Sequence, residues 1–124
     1  RIVGNSGDNL LNGAWGDDTL IGGEGDDTFR DDYGDDLMIG GAGSDTFVFR
    51  GNFGQDTISD FDGSGDGDVI DLRALSDIVN FSDLISDHAN QIGHDLVIED
   101  GSGNTVTLTG INASNLSADD FLFG

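Results

Sequence analysis

Large apolar residues recur at every ninth position through residues 4–48 of the chain. Each unit of nine residues has glycine at the fourth place, Asp or Asn at the sixth place and the large apolar residue at the eighth place. A further unit, residues 51–59, follows after two extra residues, Phe49 and Arg50. The eighth places hold Leu11, Leu20, Phe29, Met38, Phe47 and Ile58. Such regular spacing predicts a stacked coil built from one repeated supersecondary unit.

The two halves of each unit predict different backbone structures. Glycine in the first half favours a tight turn with positive φ, and it lets carbonyl groups converge because no Cβ is in the way. Where a leading glycine is missing, Asn5, Asp31 and Asp32 are residue types that tolerate the left-handed region. The second half is rich in β-formers and too short for a helix, so it predicts a three-residue strand with the eighth place pointing inward. Two units of nine then make one coil of a flattened parallel β solenoid with a thin apolar core.

Units two apart are expected to stack on the same edge of the solenoid, at a spacing of about 4.8 Å. The sixth places then pair vertically as Asn9 over Asp27, Asp18 over Asp36, Asp27 over Asp45, and Asp36 over Asp56. Carboxylates at that spacing repel each other unless a cation lies between them. Carboxylates and free backbone carbonyls form an all-oxygen site, which suits calcium better than magnesium. The chain has no cysteine, and its two histidines, His88 and His94, lie outside the repeats, so zinc and copper are poor candidates.

The composition strengthens the case for a metal. The chain of 124 residues has 25 acidic residues against four arginines, and its formal net charge is -21. A chain with this charge repels itself into disorder unless cations neutralise it, and without cysteine no disulfide can hold it together. The alternative, a metal-free solenoid whose Gly and Asp residues only make polar turns, leaves this charge uncompensated. Nucleic acids and anionic membranes are excluded as partners by their phosphates, and no apolar run is long enough to span a bilayer.

The units resemble the RTX nonapeptide GGxGxDxUx, in which U is a large apolar residue. GGEGDDTFR and GGAGSDTFV match every specified place, GAWGDDTLI lacks one glycine, and DDYGDDLMI lacks both leading glycines. In GNSGDNLLN, Asn9 replaces the aspartate. The resemblance implies an all-β fold, a right-handed parallel β-roll, that binds about four calcium ions between its turns.

The resemblance also implies which atoms hold the calcium ions. Backbone carbonyls from the first four places and sixth-place side chains are the implied ligands. The side chains belong to Asn9, Asp18, Asp27, Asp36, Asp45 and Asp56, and the carbonyls to Gly13, Gly16, Gly22, Gly23, Gly25, Gly34, Gly40, Gly41 and Gly43. Asn9 marks the weaker end, and Asp27, Asp36 and Asp45 are expected to hold the best-formed sites. The fifth-place residues Asp8, Asp17, Asp26 and Asp35 are expected to be solvated charges rather than ligands.

A further calcium candidate follows in the segment DFDGSGDGDVID, residues 60–71. Places 1, 3, 5, 6, 9 and 12 of an EF-hand-like loop are occupied by Asp60, Asp62, Ser64, Gly65, Asp68 and Asp71. The same segment contains GSGDGDVID, a degenerate nonapeptide with Asp68 at the sixth place and Ile70 at the eighth place. We favour continuation of the roll. The loop makes Asp62 a candidate ligand, and both interpretations make Asp68 one.

Residues 60–124 are expected to cap the roll of residues 1–59 within one continuous structural unit. RALSDI and FSDLISDHANQ predict short helices, the second with Ser82 as its N-cap. DLVIED and TVTLTG, joined by GSGN, predict a hairpin that covers the open end of the roll. The last residues predict a capped turn and a final apolar strand, Phe121, Leu122 and Phe123, that hides the exposed sheet edge.

No catalytic residues are expected in this chain. His88 and His94 are expected to be surface histidines, and the repeat accounts for paired acids such as Asp17 and Asp18. The resemblance instead implies the C-terminal module of a bacterial protein exported by type I secretion, which folds when it meets extracellular calcium. Because the chain begins at Arg1 without a methionine, we expect an upstream domain as a partner, together with the secretion machinery. The module itself is expected to be a secreted monomer.

Two other functions stay open. Similar rolls are attached to mannuronan epimerases, serralysin proteases and lipases, so an accessory module that binds a polysaccharide such as alginate is the alternative. The absence of lysine argues against direct binding of a polyanion. A segment of an adhesin stalk would require more repeats before Arg1.

Overall fold

The repeats form two parallel sheets that share one core, in a computed structural model that describes residues 1–30, 32–62 and 67–124. In chain order the strands are β1 (Ile2–Val3), β2 (Leu10–Asn12), β3 (Thr19–Glu24), β4 (Thr28–Arg30), β5 (Leu37–Ala42), β6 (Thr46–Val48), β7 (Gln55–Ile58), β8 (Val69–Asp71), β9 (Ala89–Ile92), β10 (Asp95–Glu99), β11 (Thr105–Leu108) and β12 (Phe121–Leu122). Sheet A has the order β1-β3-β5-β7-β11-β10-β9, and sheet B has the order β12-β8-β6-β4-β2. Successive repeat units therefore alternate between the sheets, and the predicted parallel β-roll is confirmed.

The eighth-place residues line the core as two vertical columns. The parallel register aligns Leu11, Phe29, Phe47, Ile70 and Phe121 in sheet B and Leu20, Met38, Ile58 and Leu108 on the sheet A side. All of these side chains are buried, and the Phe29 and Phe47 rings stack with their centroids 4.8 Å apart. Burial of large side chains such as these stabilises the fold by about 1.5–3 kcal/mol each.

Two strands of sheet A are longer than the predicted three residues. β3 and β5 each run for six residues, because the backbone stays extended into the leading glycines of the next unit. Gly23 pairs in register with Gly41, so the two glycine segments are also held by strand pairing.

The C-terminal part closes the roll as the sequence predicted. β11 pairs in parallel with β7, and β10 and β9 extend sheet A as antiparallel strands. β12 pairs in parallel with β8 at the edge of sheet B. Short 3₁₀ helices at Ala113–Asn115 and Ala118–Asp120 precede β12, the second with a capping box between Ser117 and Asp120. The predicted hairpin, capped turn and final strand are confirmed.

Of the two helical segments predicted before the hairpin, the first is wrong and the second is confirmed for residues 81–88. RALSDI forms turns, in which Leu75 and Ile78 pack separately into the core. FSDLISDHANQ forms a short α1 (Phe81–Asp83) and a π-helical turn (Leu84–His88), and then becomes β9 because pairing with β10 outweighs helix propensity. The N-cap is Asn80, whose side chain accepts the Asp83 N–H at 2.8 Å, and not Ser82. Across the described ranges, no helix is long and apolar enough to cross a membrane.

Candidate metal sites

The sixth-place side chains form one vertical column along each edge of the roll, as their spacing predicted. In every pair, the Oδ1 atom of the later residue accepts the backbone N–H of the residue one coil earlier. The donor and acceptor pairs are Asn9 and Asp27 (2.7 Å), Asp18 and Asp36 (2.8 Å), Asp27 and Asp45 (2.9 Å), Asp36 and Asp56 (2.8 Å), and Asp45 and Asp68 (2.9 Å). These N–H groups reduce the repulsion between stacked carboxylates, and the sequence had not indicated them.

The second carboxylate oxygen of the inner aspartates is buried and unpaired. The Oδ2 atoms of Asp27, Asp36 and Asp45 accept no hydrogen bond from the described residues, and these three residues are at most 3% exposed. Burying an ionised carboxylate costs several kcal/mol unless another group compensates its charge. The fold therefore places negative charge where a cation would stabilise it.

The first-place glycines leave space beside these oxygens. A Cβ on Gly22 would collide with Asp27 Oδ2 and would lie 2.6 Å from the Gly40 carbonyl oxygen. A Cβ on Gly4 would collide in the same way with Asn9 Oδ1 and with the Gly22 carbonyl oxygen. We term each such space a cradle: it lies between a first-place glycine, the sixth-place side chain of its own unit and the carbonyl one coil later. Its lining of oxygen atoms fits calcium, which prefers carboxylate and carbonyl ligands.

Two further first-place glycines border sixth-place carboxylates. A Cβ on Gly13 would lie 2.9 Å from Asp18 Oδ2, and a Cβ on Gly40 would collide with Asp45 Oδ2. The predicted carbonyl ligands Gly22 and Gly40 thus face cradles, and Gly13 borders the Asp18 carboxylate.

The other glycines predicted as ligands, together with Gly54, which was not predicted as one, lie where successive coils approach closely. A Cβ on Gly34 would collide with the Gly16 carbonyl, one on Gly41 with the Gly23 carbonyl, one on Gly43 with the Gly25 carbonyl and one on Gly54 with the Gly34 carbonyl. Gly16, Gly23, Gly25, Gly34, Gly41, Gly43 and Gly54 all have positive φ. All seven positions therefore need glycine for backbone conformation, and all except Gly16, where a Cβ would meet no atom within 4 Å, also need it for stacking.

Backbone conformation departs from expectation where a leading glycine is missing. Ala14 has a φ of 69°, which an alanine rarely adopts, and its N–H is held by Asn12 Oδ1 at 2.8 Å. Asn5 is not left-handed, contrary to expectation, and its side chain instead accepts the Gly7 N–H at 2.9 Å. Asp31 lies outside the described residues.

The fifth-place aspartates form a second column of hydrogen bonds. They are exposed, as expected of solvated charges, but the Oδ1 atom of each one also accepts a backbone N–H from the next coil. The acceptor and donor pairs are Asp8 and Asp26 (2.7 Å), Asp17 and Asp35 (2.9 Å), Asp26 and Ser44 (2.8 Å), and Asp35 and Gln55 (2.9 Å). The recurrence of aspartate at the fifth place was the sequence signal for this column. The sequence analysis did not predict that these aspartates hold successive coils together.

Asp68 continues the column of sheet B after the last regular unit. It is 3% exposed, and Ile70 pairs with Phe47 in the core, which supports a degenerate repeat here. Asp62 is exposed, and its N–H donates to Asp68 Oδ2 at 2.9 Å. Ser64 and Gly65 of the EF-hand-like loop lie outside the described residues.

Asp71, at the last place of that loop, is held by an arginine. The Arg73 guanidinium donates to both carboxylate oxygens of Asp71, and these hydrogen bonds hold the Asp71 pKa below its ordinary value. Because Arg73 neutralises this carboxylate, Asp71 does not offer a free charge to a metal.

Burial and mutual repulsion change the pKa of the carboxyl groups at the end of the column. Burial raises the Asp45 pKa from 3.8 to about 6, against the hydrogen bond from the Asp27 N–H, and the charges of Asp68, Asp27 and Asp60 add to the rise. Burial also raises the Asp68 pKa. A bound cation would favour the ionised form of both groups.

The histidines take no part in the columns. His94 is exposed, but the His88 side chain is only 12% exposed, so its assignment to the surface was wrong. Its Nδ1 atom lies 2.7 Å from the Glu99 carbonyl oxygen, and its Nε2 atom lies 3.5 Å from Asp83. Within the part of the chain that the structure describes, no group of three or more His, Cys, Asp or Glu side chains could hold a metal. The cradles differ from such clusters because they combine carboxylates with backbone carbonyls.

The chain is similar to a family of repeats and to several solved structures. The profile of a family described as RTX calcium-binding nonapeptide repeat (4 copies) matches residues 1–29, 13–47 and 21–58. A comparison with curated protein sequences found no match. Among solved structures, the extracellular lipase LipA from Serratia marcescens is 27% identical, with a TM-score of 0.60 over 96% of this chain and 20% of the lipase. The chain thus spans one fifth of that lipase.

Two smaller solved structures also match. They are the AlgE6R3 and AlgE6R2 subunits from the Azotobacter vinelandii mannuronan C5-epimerase, each 28% identical. Each match covers 98% of this chain, together with 81% of AlgE6R3 at a TM-score of 0.37 and 91% of AlgE6R2 at a TM-score of 0.42.

Proposed function

Residues 1–58 of this chain belong to the family of RTX calcium-binding nonapeptide repeats, and on that premise we propose that the chain folds when it binds extracellular calcium. In this proposal it is a secreted module that supports type I secretion and stabilises a larger secreted protein. The observation that carries the proposal is the set of buried, unpaired Oδ2 atoms of Asp27, Asp36 and Asp45, of which that of Asp27 borders a cradle and that of Asp45 borders Gly40.

Calcium would supply much of the stability of the fold. Without a cation, each buried carboxylate destabilises the roll, and the net charge of -21 adds repulsion between coils. If each site had a Kd on the order of 0.1 mM, millimolar calcium would stabilise the fold by about 1.4 kcal/mol per site, or ~6 kcal/mol for four sites. That is comparable to the whole stability of a small domain, about 5–15 kcal/mol. Calcium would then decide whether the fold exists.

Calcium-dependent folding fits export of an unfolded chain. In the low calcium of the cytosol the carboxylates would keep the chain expanded, and outside the cell calcium would fold it. The C-terminal residues Asp119 to Phe123, which combine an acidic pair with apolar residues, would be free during export and would afterwards form the end of the second 3₁₀ helix and β12. The upstream domain and the secretion machinery remain the proposed partners.

A calcium titration tests the proposal on the whole chain. In chelator at neutral pH we expect a coil-like circular dichroism spectrum and a radius of gyration towards ~36 Å, and in calcium a β spectrum and a radius near ~14 Å. Magnesium at the same concentration and ionic strength is the matched control and should fold the chain poorly, because it dehydrates reluctantly. The proposal fails if the chelated chain already has the β content of the calcium-loaded chain.

A second candidate function is an accessory polysaccharide-binding module, which one surface feature favours. Trp15 and Tyr33 are 77% and 43% exposed, and their rings stack with centroids 4.4 Å apart. Exposed aromatic rings mark binding surfaces more often than isolated aliphatic residues do. The exposed Asp17 and Asp35 on the same turns would repel a polyanion, so a neutral glycan is the better fit.

An NMR titration tests this second function in saturating calcium. Neutral oligosaccharides should shift the amide signals around Trp15, the variant Trp15→Ala should abolish those shifts, and alginate oligomers should cause smaller ones. If neutral oligosaccharides shift no signals near Trp15, the chain has no polysaccharide site at this surface.

A further inference from the structure

Asp60 lies directly beyond the point at which the pairing of β7 with β5 ends. β7 pairs with β5 through Leu37 with Thr57 and Met38 with Ile58, and the Ser59 N–H donates to the Met38 carbonyl. Beyond this point the Asp60 side chain, instead of a strand backbone, accepts the N–H groups that follow β5 residue Ile39. Its Oδ1 atom accepts the Gly40 N–H and its Oδ2 atom accepts the Gly41 N–H, both at 2.8 Å.

The hydrogen bond to Gly41 also fixes the neighbouring carbonyl. The Gly41 N–H and the Gly40 carbonyl belong to one planar peptide, and in a trans peptide they point in opposite directions. The Gly40 carbonyl faces the cradle of Gly22 and Asp27, where a Cβ on Gly22 would lie 2.6 Å from it. Asp60 therefore holds one side of a peptide whose other side lines a cradle.

A carboxylate in this place would also strengthen the carbonyl as a ligand. When a charged acceptor binds the N–H of a peptide, it polarises the peptide and increases the negative charge on its carbonyl oxygen. Outer hydrogen-bond partners of this kind orient metal ligands, and their loss typically lowers metal affinity by about 10–100-fold.

We propose that Asp60 is a positioning residue for a metal bound in the cradle of Gly22 and Asp27, through the Gly40 peptide. The inference rests on the proposed calcium-dependent function. The cradle is marked independently as a cation site by Asp27, which is 1% exposed and whose Oδ2 atom accepts no hydrogen bond from the described residues. Asp60 itself does not touch the metal in this proposal.

The test compares Asp60→Asn with Asp35→Asn in the whole chain. Asn at position 60 can still accept the Gly40 N–H, but its amide group replaces the acceptor for Gly41. Asp35 is an exposed aspartate whose Oδ1 atom accepts the Gln55 N–H at 2.9 Å, so Asp35→Asn removes the same charge while leaving the Gly40 peptide intact. Isothermal titration gives the number and affinity of bound calcium ions, and NMR spectra in saturating calcium report the fold.

We expect Asp60→Asn to fold in calcium with one site weakened by about 10–100-fold, and Asp35→Asn to titrate like the wild type. If Asp60→Asn binds the same number of ions with the same affinities as the control, the proposal is overturned. It is also overturned if Asp60→Asn fails to fold at any calcium concentration, because Asp60 would then be a general structural cap. A wild type that takes up no calcium would instead refute the proposed function, and this inference with it.

Discussion

At the scale of single residues, the two oxygens of a sixth-place carboxylate have separate roles. In Asp27, Oδ1 accepts the Asn9 N–H of the earlier coil, whereas Oδ2 borders the cradle at Gly22. One aspartate therefore both stacks the coils and offers charge to a cation. In Asn9, the Oδ1 atom accepts the Asn5 N–H of its own unit and also borders the cradle at Gly4, and because this side chain is uncharged it is expected to make a weaker site.

We predict that acid stabilises the metal-free fold. The Asp45 pKa is about 6 in the fold, above its ordinary 3.8, so between these values the folded chain binds more protons than the unfolded chain. The stability of the metal-free fold should therefore fall as the pH rises from about 4 to 6. The folded fraction in chelator, measured by circular dichroism across this range, checks the sign.

Asp45→Asn is the control for this pH dependence. It keeps an acceptor for the Asp27 N–H but removes the titrating group, so the slope between about pH 4 and 6 should become shallower. An unchanged slope in Asp45→Asn would assign the dependence to other carboxyl groups.

The spacing of the chain predicted which sixth-place residues stack, but not how they are held. The columns follow from the period of nine and the alternation of edges alone. The hydrogen bonds that Asp8, Asp60 and Asp71 accept depend on where each turn places its N–H groups, or on which arginine lies near, and the period carries no such information. For the same reason the sequence did not indicate that Ala14 would take a left-handed conformation.

At the scale of elements, the roll tolerates an insertion between units. Asp36 and Asp56 are 20 residues apart instead of 18, yet they form the same hydrogen bond as the other pairs. The insertion brings Phe49 into the core, where its ring packs against Phe53 with centroids 5.1 Å apart. The extra residues thus add apolar burial beside the coil instead of breaking its register.

We predict that alanine at Gly54 destabilises the roll more than alanine at Gly103. Both glycines have a positive φ, 94° and 91°, so both substitutions carry a similar conformational cost of about 1–2 kcal/mol. A Cβ on Gly54 would also collide with the Gly34 carbonyl, whereas one on Gly103 would meet no atom within 4 Å. Urea unfolding in saturating calcium should show an additional loss of about 1 kcal/mol or more for Gly54→Ala. Equal losses would mean that the coils can separate enough to accept a side chain.

Strands were easier to predict than the helices, and the reason is physical. In the regular repeats, strands are fixed by an inward apolar residue that stacks on another 18 residues away, so local sequence and long-range packing agree. RALSDI lacks such agreement: its pattern suits a helix, but Leu75 and Ile78 are drawn into the core at different points.

At the scale of the whole molecule, charge and topology are linked. The acidic residues of the repeats, whose repulsion would unfold a metal-free chain, are arranged in columns along both edges of the roll. There, cations shared between coils can compensate their negative charge. The fold class and the two-unit coil could be predicted from the period. The strand with which the C-terminal hairpin pairs could not be predicted from the sequence. The parallel pairing of β11 with β7 connects segments about 50 residues apart, and no repeated motif marks this pairing in the sequence.

The hydrogen bonds of the sixth-place carboxylates run in one direction, opposite to those of the fifth-place aspartates, and this polarity of the sixth-place columns bears on how such chains could lengthen during evolution. Each sixth-place carboxylate accepts an N–H from the coil before it, so a duplicated pair of units placed ahead of Ile2 would bring donors to acceptors that already exist. At the other end, β12 and the hairpin occupy the sheet edges, and an added pair would have to displace them. Gene duplication should therefore extend these molecules at the amino-terminal end while the carboxy-terminal cap is inherited unchanged.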